Sequence, residues 1–577
     1  MKWNLDILNE KDFPLVERAG LEFVKKWKNR RDYLEEIQIL KEALDEYENW
    51  GANFGIGGDC LFKLGLQSIL DQNNTKIKAK YNNLHKKSIR IANEIEFFTL
   101  RLAKIPLEKQ KEFLKAPELK EYKHFLEGLF EDAKHLLSEP EEKIMNLKSK
   151  VSHSNWVEMV ENLLSKEERE GKNLSEILDL ISNKDKATRD KAASWFNSIL
   201  TAHLDEAEHE INSILENSLI DNELRGFKRP DASRHLADDV DSSIVDTLLN
   251  TVAENFDISA KFYELKAKLI GQEKLEYHER NVSYGTIDKK IDFDKGIKIV
   301  ERTFEKLDPY FSEILKQYLE NGQIDAFAAK NKSTGAACVS NLKSQPIFVY
   351  LNYLEKVRDV TTIAHEMGHS IHFELARSVQ NSLNDGASLA IAEVASTFME
   401  DFVLKEIATG LDDETRLALQ MEQLNDQVSS IQRQVACYKF EQELHGKFEK
   451  KGYLSQEEIG ELFQKHMQAY MGDFVEQSEG SQNWWVYWSH IREFFYVYSY
   501  ASGLLISKSL QRKTRENLGF IENFKELLAK GSSVSPKNAF LEIGIDITDK
   551  RFWETGLKEQ RDLLENTWTL AQNLGKI

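Results

Sequence analysis

Residues 365–369 of this 577-residue chain read HEMGH, a pattern suited to binding a metal ion. On a helix, His365 and His369 lie one turn apart and point the same way, so two imidazole nitrogens can bind one ion. Glu366 is turned by about 100° from His365 around the helix. It therefore reaches a water on that ion more easily than the ion itself. Two histidine ligands and a glutamate base are typical of zinc-dependent hydrolysis.

A hydrolytic zinc site needs a third protein ligand and one open position. An extension of the same helix to a Gly and a third His is excluded, because those positions hold His372 and Leu375. Further on, LAIAEVASTFMEDFVL predicts a second helix. Glu393 lies in it among small apolar residues, where a carboxylate is costly unless it is paired or bound to metal. We predict Glu393 as the third ligand, with a half-exposed surface charge as the alternative.

Three further residues near the motif are candidates for orienting the ligands. Glu400 lies seven residues after Glu393 and shares its helix face. Asp359 and His372 lie on either side of HEMGH. The alternatives are that Asp359 is a helix N-terminal carboxylate and that His372 is a packed core side chain.

Two short runs before HEMGH, GAACVSN and PIFVYLN within 335–352, contain Val, Ile, Phe and Tyr residues that favour strands. Turn-forming residues separate them, so we predict a β-hairpin or two strands of one sheet. An exposed strand edge can bind an extended peptide through main-chain hydrogen bonds. Gly335, Ala336 and Ala337 would let a peptide approach closely, and we predict them as substrate-binding residues. An ordinary structural hairpin is the alternative.

An aromatic segment at 484–506 contains candidate donors for a negatively charged oxygen. A Tyr hydroxyl and a His N–H can stabilise the oxyanion of a tetrahedral intermediate. His490 is followed by Tyr496, Tyr498 and Tyr500, of which the first and last share a helix face while Tyr498 points the other way. The alternative is that all these rings belong to the core.

The composition predicts that helices carry these residues. Only 8 prolines and 28 glycines occur in the chain, and apolar residues recur at helical spacing over most of its length. We predict a mostly α fold with an N-terminal helical lobe at 1–190 and a catalytic domain at 191–577.

Charge and hydropathy exclude several kinds of partner. The chain has 77 Lys+Arg and 96 Asp+Glu, a formal charge of −19, and no basic patch of the kind that binds nucleic acid. No stretch reaches the roughly 18 apolar residues of a membrane span. Three scattered cysteines predict no disulfide framework, and the N-terminal sequence has no signal-peptide pattern. We expect a cytoplasmic protein.

Several segments together resemble oligoendopeptidase F, in the family that includes thimet oligopeptidase. They are GAACVSN, TTIAHEMGHSIHFEL, AEVASTFMED, the segment from His490 through FYVYSYASG, and ITDKRFWETGL. The resemblance covers roughly 190–570. It implies a nearly all-helical metallopeptidase with two lobes, a deep channel with zinc at its base, and a small sheet beside the HEMGH helix. Met367 stands where the family often has Phe, at a packing position.

The resemblance also implies roles for individual residues. His365, His369 and Glu393 would bind one zinc ion per chain, and Glu366 would be the base. His490 and Tyr500 fall where the family has its oxyanion donors.

We therefore expect a zinc endopeptidase that cleaves short peptides, with the oligomeric state open. A helical zinc carboxypeptidase is one alternative and would need a fixed cation for the substrate carboxylate, for which Arg492 is the nearest by sequence. A non-catalytic peptide-binding protein is another, although binding alone needs no general base such as Glu366.

Overall fold

A computed structural model describes residues 1–8 and 13–577 of the chain. Its backbone is mostly helical, with a three-stranded sheet beside the HEMGH helix, and both predictions are confirmed. None of the helices in the described ranges is long and apolar enough to cross a membrane.

Helices follow one another closely along the whole chain. Up to residue 237 they are α1 (Phe13–Trp27), α2 (Ile37–Asn53), α3 (Gly58–Leu70), α4 (Thr75–Ile95), α5 (Phe97–Ala103), α6 (Leu107–Lys115), α7 (Lys123–Asp132), α8 (Glu139–Ser149), α9 (Asn155–Ser165), α10 (Leu174–Ile181), α11 (Lys186–Ala202), α12 (Leu204–Arg225) and α13 (Ala232–Ala237). Beyond it they are α14 (Ser242–Ala253), α15 (Asp257–Leu269), α16 (Phe293–Leu307), α17 (Pro309–Glu320), α18 (Val357–Val379), α19 (Leu389–Ala392), α20 (Val394–Ala408), α21 (Asp413–Ser430), α22 (Gln432–Lys451), α23 (Gln456–Met471), α24 (Tyr498–Glu516), α25 (Ile521–Ala529), α26 (Pro536–Glu542) and α27 (Lys550–Asn573).

The strands are short. They are β1 (Glu168–Arg169), β2 (Lys172–Asn173), β3 (Leu275–Glu276), β4 (Ile324–Phe327), β5 (Ala337–Val339), β6 (Phe348–Tyr353) and β7 (Val475–Glu476). The largest sheet has the order β4-β6-β5, in which β4 runs parallel and β5 antiparallel to β6. Strand β4 lies outside the two strand segments that we predicted within 335–352.

The chain forms two compact units, each assembled from three stretches. The first unit comprises Met1–Lys134, Asp288–Gly410 and Lys513–Ile545. The second unit comprises His135–Ile287, Leu411–Arg512 and Asp546–Ile577. The division into a lobe and a domain at residue 190 stays a prediction.

A buried lysine explains why β4 joins the sheet despite its short length. Lys332 is buried, and its Nζ donates hydrogen bonds to Asp325 Oδ1 on β4 and to the Leu351 carbonyl on β6, both at 2.6 Å. A buried charge is tolerated where it is paired and fully hydrogen-bonded. On the opposite end of β6, Trp3 Nε1 donates to the Val349 carbonyl at 2.8 Å. The sheet is therefore held by side chains from outside its own strands.

Helix α18 carries HEMGH and begins directly after the sheet. The Asp359 carboxylate accepts hydrogen bonds from the backbone N–H groups of Leu354 at 2.7 Å and Lys356 at 2.9 Å. These are orphan donors at a helix start, and a carboxylate there also suits the helix dipole. The structure favours the capping interpretation of Asp359 over a role in orienting ligands.

Glycine at position 368 lets α18 and α20 approach at backbone distance. A Cβ atom at Gly368 would lie 2.6 Å from Ser396 Cα and 2.7 Å from the Ala395 carbonyl oxygen. Both contacts are with backbone, which cannot move aside as a flexible side chain can. Only glycine therefore allows this packing of the two helices.

We predict that Gly368→Ala lowers the free energy of unfolding by about 1–3 kcal/mol, the usual cost of overpacking. The measurement is urea unfolding followed by circular dichroism. Gly128→Ala is the matched control, because a Cβ on that α7 glycine meets no atom within 4 Å and alanine favours a helix. Equal stability of the Gly368→Ala protein and the wild type would contradict the packing argument.

Candidate metal centre

Three side chains from α18 and the start of α20 converge in the first unit. The Nε2 atoms of His365 and His369 each lie 3.5 Å from Glu393 Oε2, and one ligand atom from each residue lies within 4.8 Å of the other two. Ligand atoms about 2.0–2.1 Å from a tetrahedral zinc are about 3.3 Å apart. Two imidazoles and a carboxylate at this spacing fit a zinc ion with one position left open.

The helix that was predicted to carry Glu393 is interrupted at that residue. Helix α19 ends at Ala392 and α20 begins at Val394, while Glu393 between them has φ −89° and ψ −2°. Ser396 Oγ donates a hydrogen bond to Glu393 Oε2 at 2.9 Å. The prediction of one continuous helix is wrong, and the interruption leaves Glu393 at the N-terminal end of α20.

Glu400 orients the first histidine. Its Oε2 atom lies 3.0 Å from His365 Nδ1. A hydrogen bond from Nδ1–H to a carboxylate fixes the tautomer that leaves the Nε2 lone pair for a metal. Burial acts to lower the pKa of His365, but the hydrogen bond and charge of Glu400 outweigh it and raise that pKa.

His372, the other candidate for orienting ligands, is a core residue. It is buried on α18, its ring stacks near Phe373, and burial lowers its pKa to about 4. The structure favours the interpretation of His372 as a packed side chain.

The carboxylate of Glu366 is held by the neighbouring sheet. Its Oε2 atom accepts a hydrogen bond of 2.7 Å from the backbone N–H of Cys338 on β5. Burial raises the pKa of Glu366, and the charge of His365 acts against that rise. One oxygen is thus fixed and the other remains for a proton, as a general base requires. The sequence placed Cys338 in a strand but contained no signal for this contact.

A cavity of about 490 Å³ lies beside these residues, within the first unit. Its lining includes Gly335, Ala336, His365, Glu366 and Glu400. Two of the three predicted substrate-binding residues therefore lie beside the candidate metal ligands. Ala337 follows them on β5 and pairs with Tyr350 of β6.

Strand β5 forms the outer edge of its sheet, with β6 as its neighbour. Gly335 precedes it with φ +77°, a conformation that favours glycine. The Gly335 carbonyl accepts a hydrogen bond of 2.7 Å from Asn352 Nδ2 on β6. An edge strand beside a cavity can pair with an extended peptide.

The predicted oxyanion donors lie in the second unit and contact one another. Tyr496 Oη and His490 Nδ1 are 2.7 Å apart, and the rings of His490 and Tyr500 stack with centroids 6.0 Å apart. Burial lowers the pKa of His490, and the charge of Arg433 lowers it further. Tyr500 is 41% exposed.

Tyr498 has a structural role, as its predicted direction implied. It is buried, and its hydroxyl donates a hydrogen bond of 2.7 Å to Asp238 Oδ2. Helix α24 begins at Tyr498, so Tyr496 precedes the helix. The prediction that Tyr496 and Tyr500 share a helix face is wrong, although their ring centroids are 5.9 Å apart.

A buried glutamate that sequence reasoning missed holds the turn before α24. Phe494 and Phe495 have φ values of +40° and +58°, which are strained for large side chains. The Phe495 N–H donates a hydrogen bond of 2.6 Å to Glu441 Oε2 on α22. Burial raises the pKa of Glu441 to about 8. The sequence contained no signal for it, because α22 has many polar and charged residues, among which Glu441 does not stand out.

Arg492, the cation considered for a carboxypeptidase, is already paired. Its Nε and Nη2 atoms donate to both oxygens of Glu210 at 3.0 and 2.7 Å. Both side chains are buried, and Arg492 also donates to the carbonyls of Trp485 and Trp488. This guanidinium is therefore bound within the protein.

A mostly helical fold and the convergence of HEMGH with a downstream glutamate are the features expected of a helical metallopeptidase. Residues 179–559 match peptidase family M3, and residues 101–181 match oligopeptidase F. The chain belongs to peptidase family M3, and the resemblance drawn from the sequence is confirmed.

Relatives match over most of the chain. An oligoendopeptidase F homolog of Borreliella burgdorferi is 24% identical over 567 residues, covering 95% of this chain and 94% of the relative. Oligopeptidase PepF of Bacillus subtilis is 23% identical over 505 residues, covering 82% of this chain and 74% of the relative.

Solved structures share the fold. A candidate peptidase from Chlamydophila abortus superimposes with a TM-score of 0.87 at 18% identity, covering 99% of this chain and 98% of the other. Oligoendopeptidase-F from Enterococcus faecium does so with a TM-score of 0.68 at 16% identity, covering 97% and 98%.

We predict that His365→Ala, His369→Ala and Glu393→Ala each lose bound zinc, because each removes one of three ligands. Glu400→Gln should bind zinc about 10–100-fold more weakly, since it changes the partner of a ligand rather than a ligand. Zinc affinity is measured by competition with a chromophoric chelator. His372→Gln is the control and should keep its zinc. Stoichiometric, tightly bound zinc in the Glu393→Ala protein would refute the ligand set.

Proposed function

We propose that this protein is a zinc-dependent oligoendopeptidase that hydrolyses internal bonds of short, unstructured peptides. The observation that carries the proposal is the convergence of His365, His369 and Glu393 beside the buried carboxylate of Glu366. Membership of peptidase family M3 supports peptide hydrolysis as the reaction. A cytoplasmic location stays a prediction.

A bound zinc ion would supply a Lewis acid for the scissile carbonyl and a water of lowered pKa. The Glu366 oxygen that does not accept the Cys338 hydrogen bond would take a proton from the attacking water. Glu366 would then pass this proton to the leaving amine. Burial of Glu366 supports this role, because it raises the pKa of the carboxylate. A general base works best when its pKa lies near the pH of the reaction.

Two groups of residues would bind the substrate and stabilise the transition state. The edge of β5, with Gly335 and Ala336 lining the cavity, supports binding of an extended chain. We assign His490 and Tyr500 as oxyanion donors on the basis of the family resemblance and of their mutual ring contact. Each would act on the charge that develops in the transition state.

We predict that Glu366→Gln keeps its zinc and loses at least about a hundredfold in kcat, the usual contribution of a general base. Glutamine still accepts the Cys338 hydrogen bond, so the strand should stay in place. Steady-state kinetics and metal analysis on the same sample provide the measurement. Near-normal turnover of the zinc-loaded variant would show that another group is the base.

The tyrosines give a second kinetic prediction. Tyr500→Phe should lower kcat by about a hundred- to a thousandfold, as removal of an oxyanion donor does, with KM within a few-fold and zinc unchanged. Tyr498→Phe is the matched control: it removes a buried hydrogen bond to Asp238 and should lower stability by about 1–3 kcal/mol while leaving kcat near wild type. If Tyr498→Phe abolished turnover and Tyr500→Phe did not, the assignment would be reversed.

The experiment that tests the function itself uses a peptide blocked at both ends. An endopeptidase cuts it internally, whereas a carboxypeptidase needs a free C-terminus and a non-catalytic binding protein leaves it intact. We expect internal cleavage, loss of activity with a chelator, and recovery with zinc, each followed by mass spectrometry of the products. A native globular protein is the negative control and should stay uncut.

A further inference from the structure

A second cavity of the first unit lies between the end of α3, the start of α4 and the loop before β5. Its volume is about 560 Å³, and its lining includes Gln72, Asn73, Lys78, Tyr81 and Ser333. Among the described residues that line it, Lys78 carries the only charge. The cavity therefore offers hydrogen-bond donors and one cation to a ligand, but no acid.

Two donors in this cavity are free to bind a ligand. Within residues 1–8 and 13–577, Lys78 Nζ and Tyr81 Oη form no hydrogen bond and no ion pair. The Tyr81 ring stacks with the ring of His85, one turn further along α4, with centroids 5.7 Å apart. This contact orients the phenol without using its hydroxyl.

The loop before β5 joins this cavity to the cavity beside the candidate zinc ligands. Gln72 Nε2 donates a hydrogen bond of 2.8 Å to Ser333 Oγ. Asn352 Nδ2 donates to the carbonyl oxygens of both Ser333 and Gly335, at 2.8 and 2.7 Å. Gly335 and Asn352 line the cavity beside the zinc ligands, whereas Ser333 lines the second cavity. One amide side chain therefore holds the junction of the two cavities.

An extended peptide on the edge of β5 can reach the second cavity. Cys338 N–H binds the Glu366 carboxylate, so the bond to be cut lies close to Cys338. Ser333 precedes Cys338 by five residues, which is at most about 17 Å of extended chain. A substrate that follows this segment therefore brings a residue about three to five positions from the scissile bond to the second cavity.

The charge of α4 favours an acidic ligand. The helix carries five lysines and one arginine, and its single acid, Glu94, is paired with Lys28 Nζ at 2.6 Å. The whole chain has a formal charge of −19, so a carboxylate is attracted to this region and repelled by much of the remaining surface. Carboxylates are the anionic groups of an unmodified peptide at neutral pH.

We propose that Lys78 and Tyr81 bind a carboxylate of the peptide substrate, about three to five residues from the scissile bond. An ammonium group and a phenol hydroxyl both donate hydrogen bonds that a carboxylate accepts. The inference rests on the proposed peptidase function and adds a substrate preference to it. The carboxylate belongs either to the C-terminus of the peptide or to an Asp or Glu side chain, and the test separates these two sources.

The test measures binding and does not depend on turnover. Full-length Glu366→Gln protein is titrated into short peptides that carry a fluorescent label at the N-terminus and no charged side chain, and mass spectrometry checks that they stay intact. One peptide has a free C-terminal acid and one a C-terminal amide. A third, amidated series carries a single Glu at each position in turn. A peptide with the recognised carboxylate should bind about 2–5-fold more tightly than the neutral amide, the usual effect of one exposed charge pair, and salt should weaken this preference.

Three further substitutions in the same protein assign the preference to the cavity. Lys78→Met should abolish it, and Tyr81→Phe should reduce it. Lys86→Met is the matched control, because Lys86 is exposed on the same helix and does not line the cavity. It should keep the full preference.

The outcomes are distinct. Tighter binding of the free acid identifies the C-terminal carboxylate, and tighter binding of Glu peptides at particular positions identifies a side chain. Equal affinities for all peptides, a preference that Lys78→Met retains, or one that Lys86→Met removes equally would overturn the inference. So would a preference that is the same wherever the Glu is placed, because that result indicates general attraction.

Cleavage of the same peptides by the wild-type protein is measured separately. Internal cleavage without any acidic preference would overturn this inference and leave the peptidase function standing. A preference in binding without cleavage by the zinc-loaded protein would support the cavity as a carboxylate site and contradict the proposed function.

Discussion

The backbone contact between α18 and α20 at Gly368 is the constraint on which the candidate metal centre depends. It brings Ser396 Cα to a distance from position 368 that only glycine allows. Gly368 lies one residue before His369, the second histidine of HEMGH. Ser396 in turn donates a hydrogen bond to Glu393. The distance between the histidines and the third ligand is therefore set by main-chain packing, and main-chain packing is far stiffer than a rotamer choice.

Two hydrogen bonds then give His365 and Glu366, which are adjacent in the motif, different roles. Glu400 contacts Nδ1 of His365 and leaves Nε2 for a metal ion. The backbone N–H of Cys338 on β5 holds the Glu366 carboxylate away from the metal position. The sheet and helix α20 thus act on adjacent residues of one helix from different sides. This arrangement explains how consecutive residues can serve as a metal ligand and as a base.

Much of this arrangement could be predicted from the sequence, because the spacing of residues along a helix determines the direction in which their side chains point. The two histidines, Glu366 and the candidate third ligand all follow from helical geometry and from the cost of an isolated carboxylate. Glu400 was found in the same way. The hairpin before the motif was predictable from its β-branched and aromatic residues. Strand β4 was not, because it is stabilised by a buried ion pair between Asp325 and Lys332 and by the hydrogen bond from Lys332 to Leu351 on β6.

What could not be predicted depends on contacts between distant segments. The break at Glu393, the left-handed turn at Phe494–Phe495 and the Glu441 carboxylate that binds it are set by tertiary packing. Helical periodicity identifies buried faces, but it does not show which polar groups on those faces lack a partner.

The central claim is that His365, His369 and Glu393 bind one zinc ion. X-ray absorption spectroscopy at the zinc edge on the purified, active protein tests it most directly. We expect about one zinc per chain, with two imidazole nitrogens at about 2.0–2.1 Å and carboxylate or water oxygen at about 2.0–2.2 Å. Active protein without zinc, or a spectrum showing a sulfur ligand near 2.3 Å or lacking imidazole scattering, would contradict it.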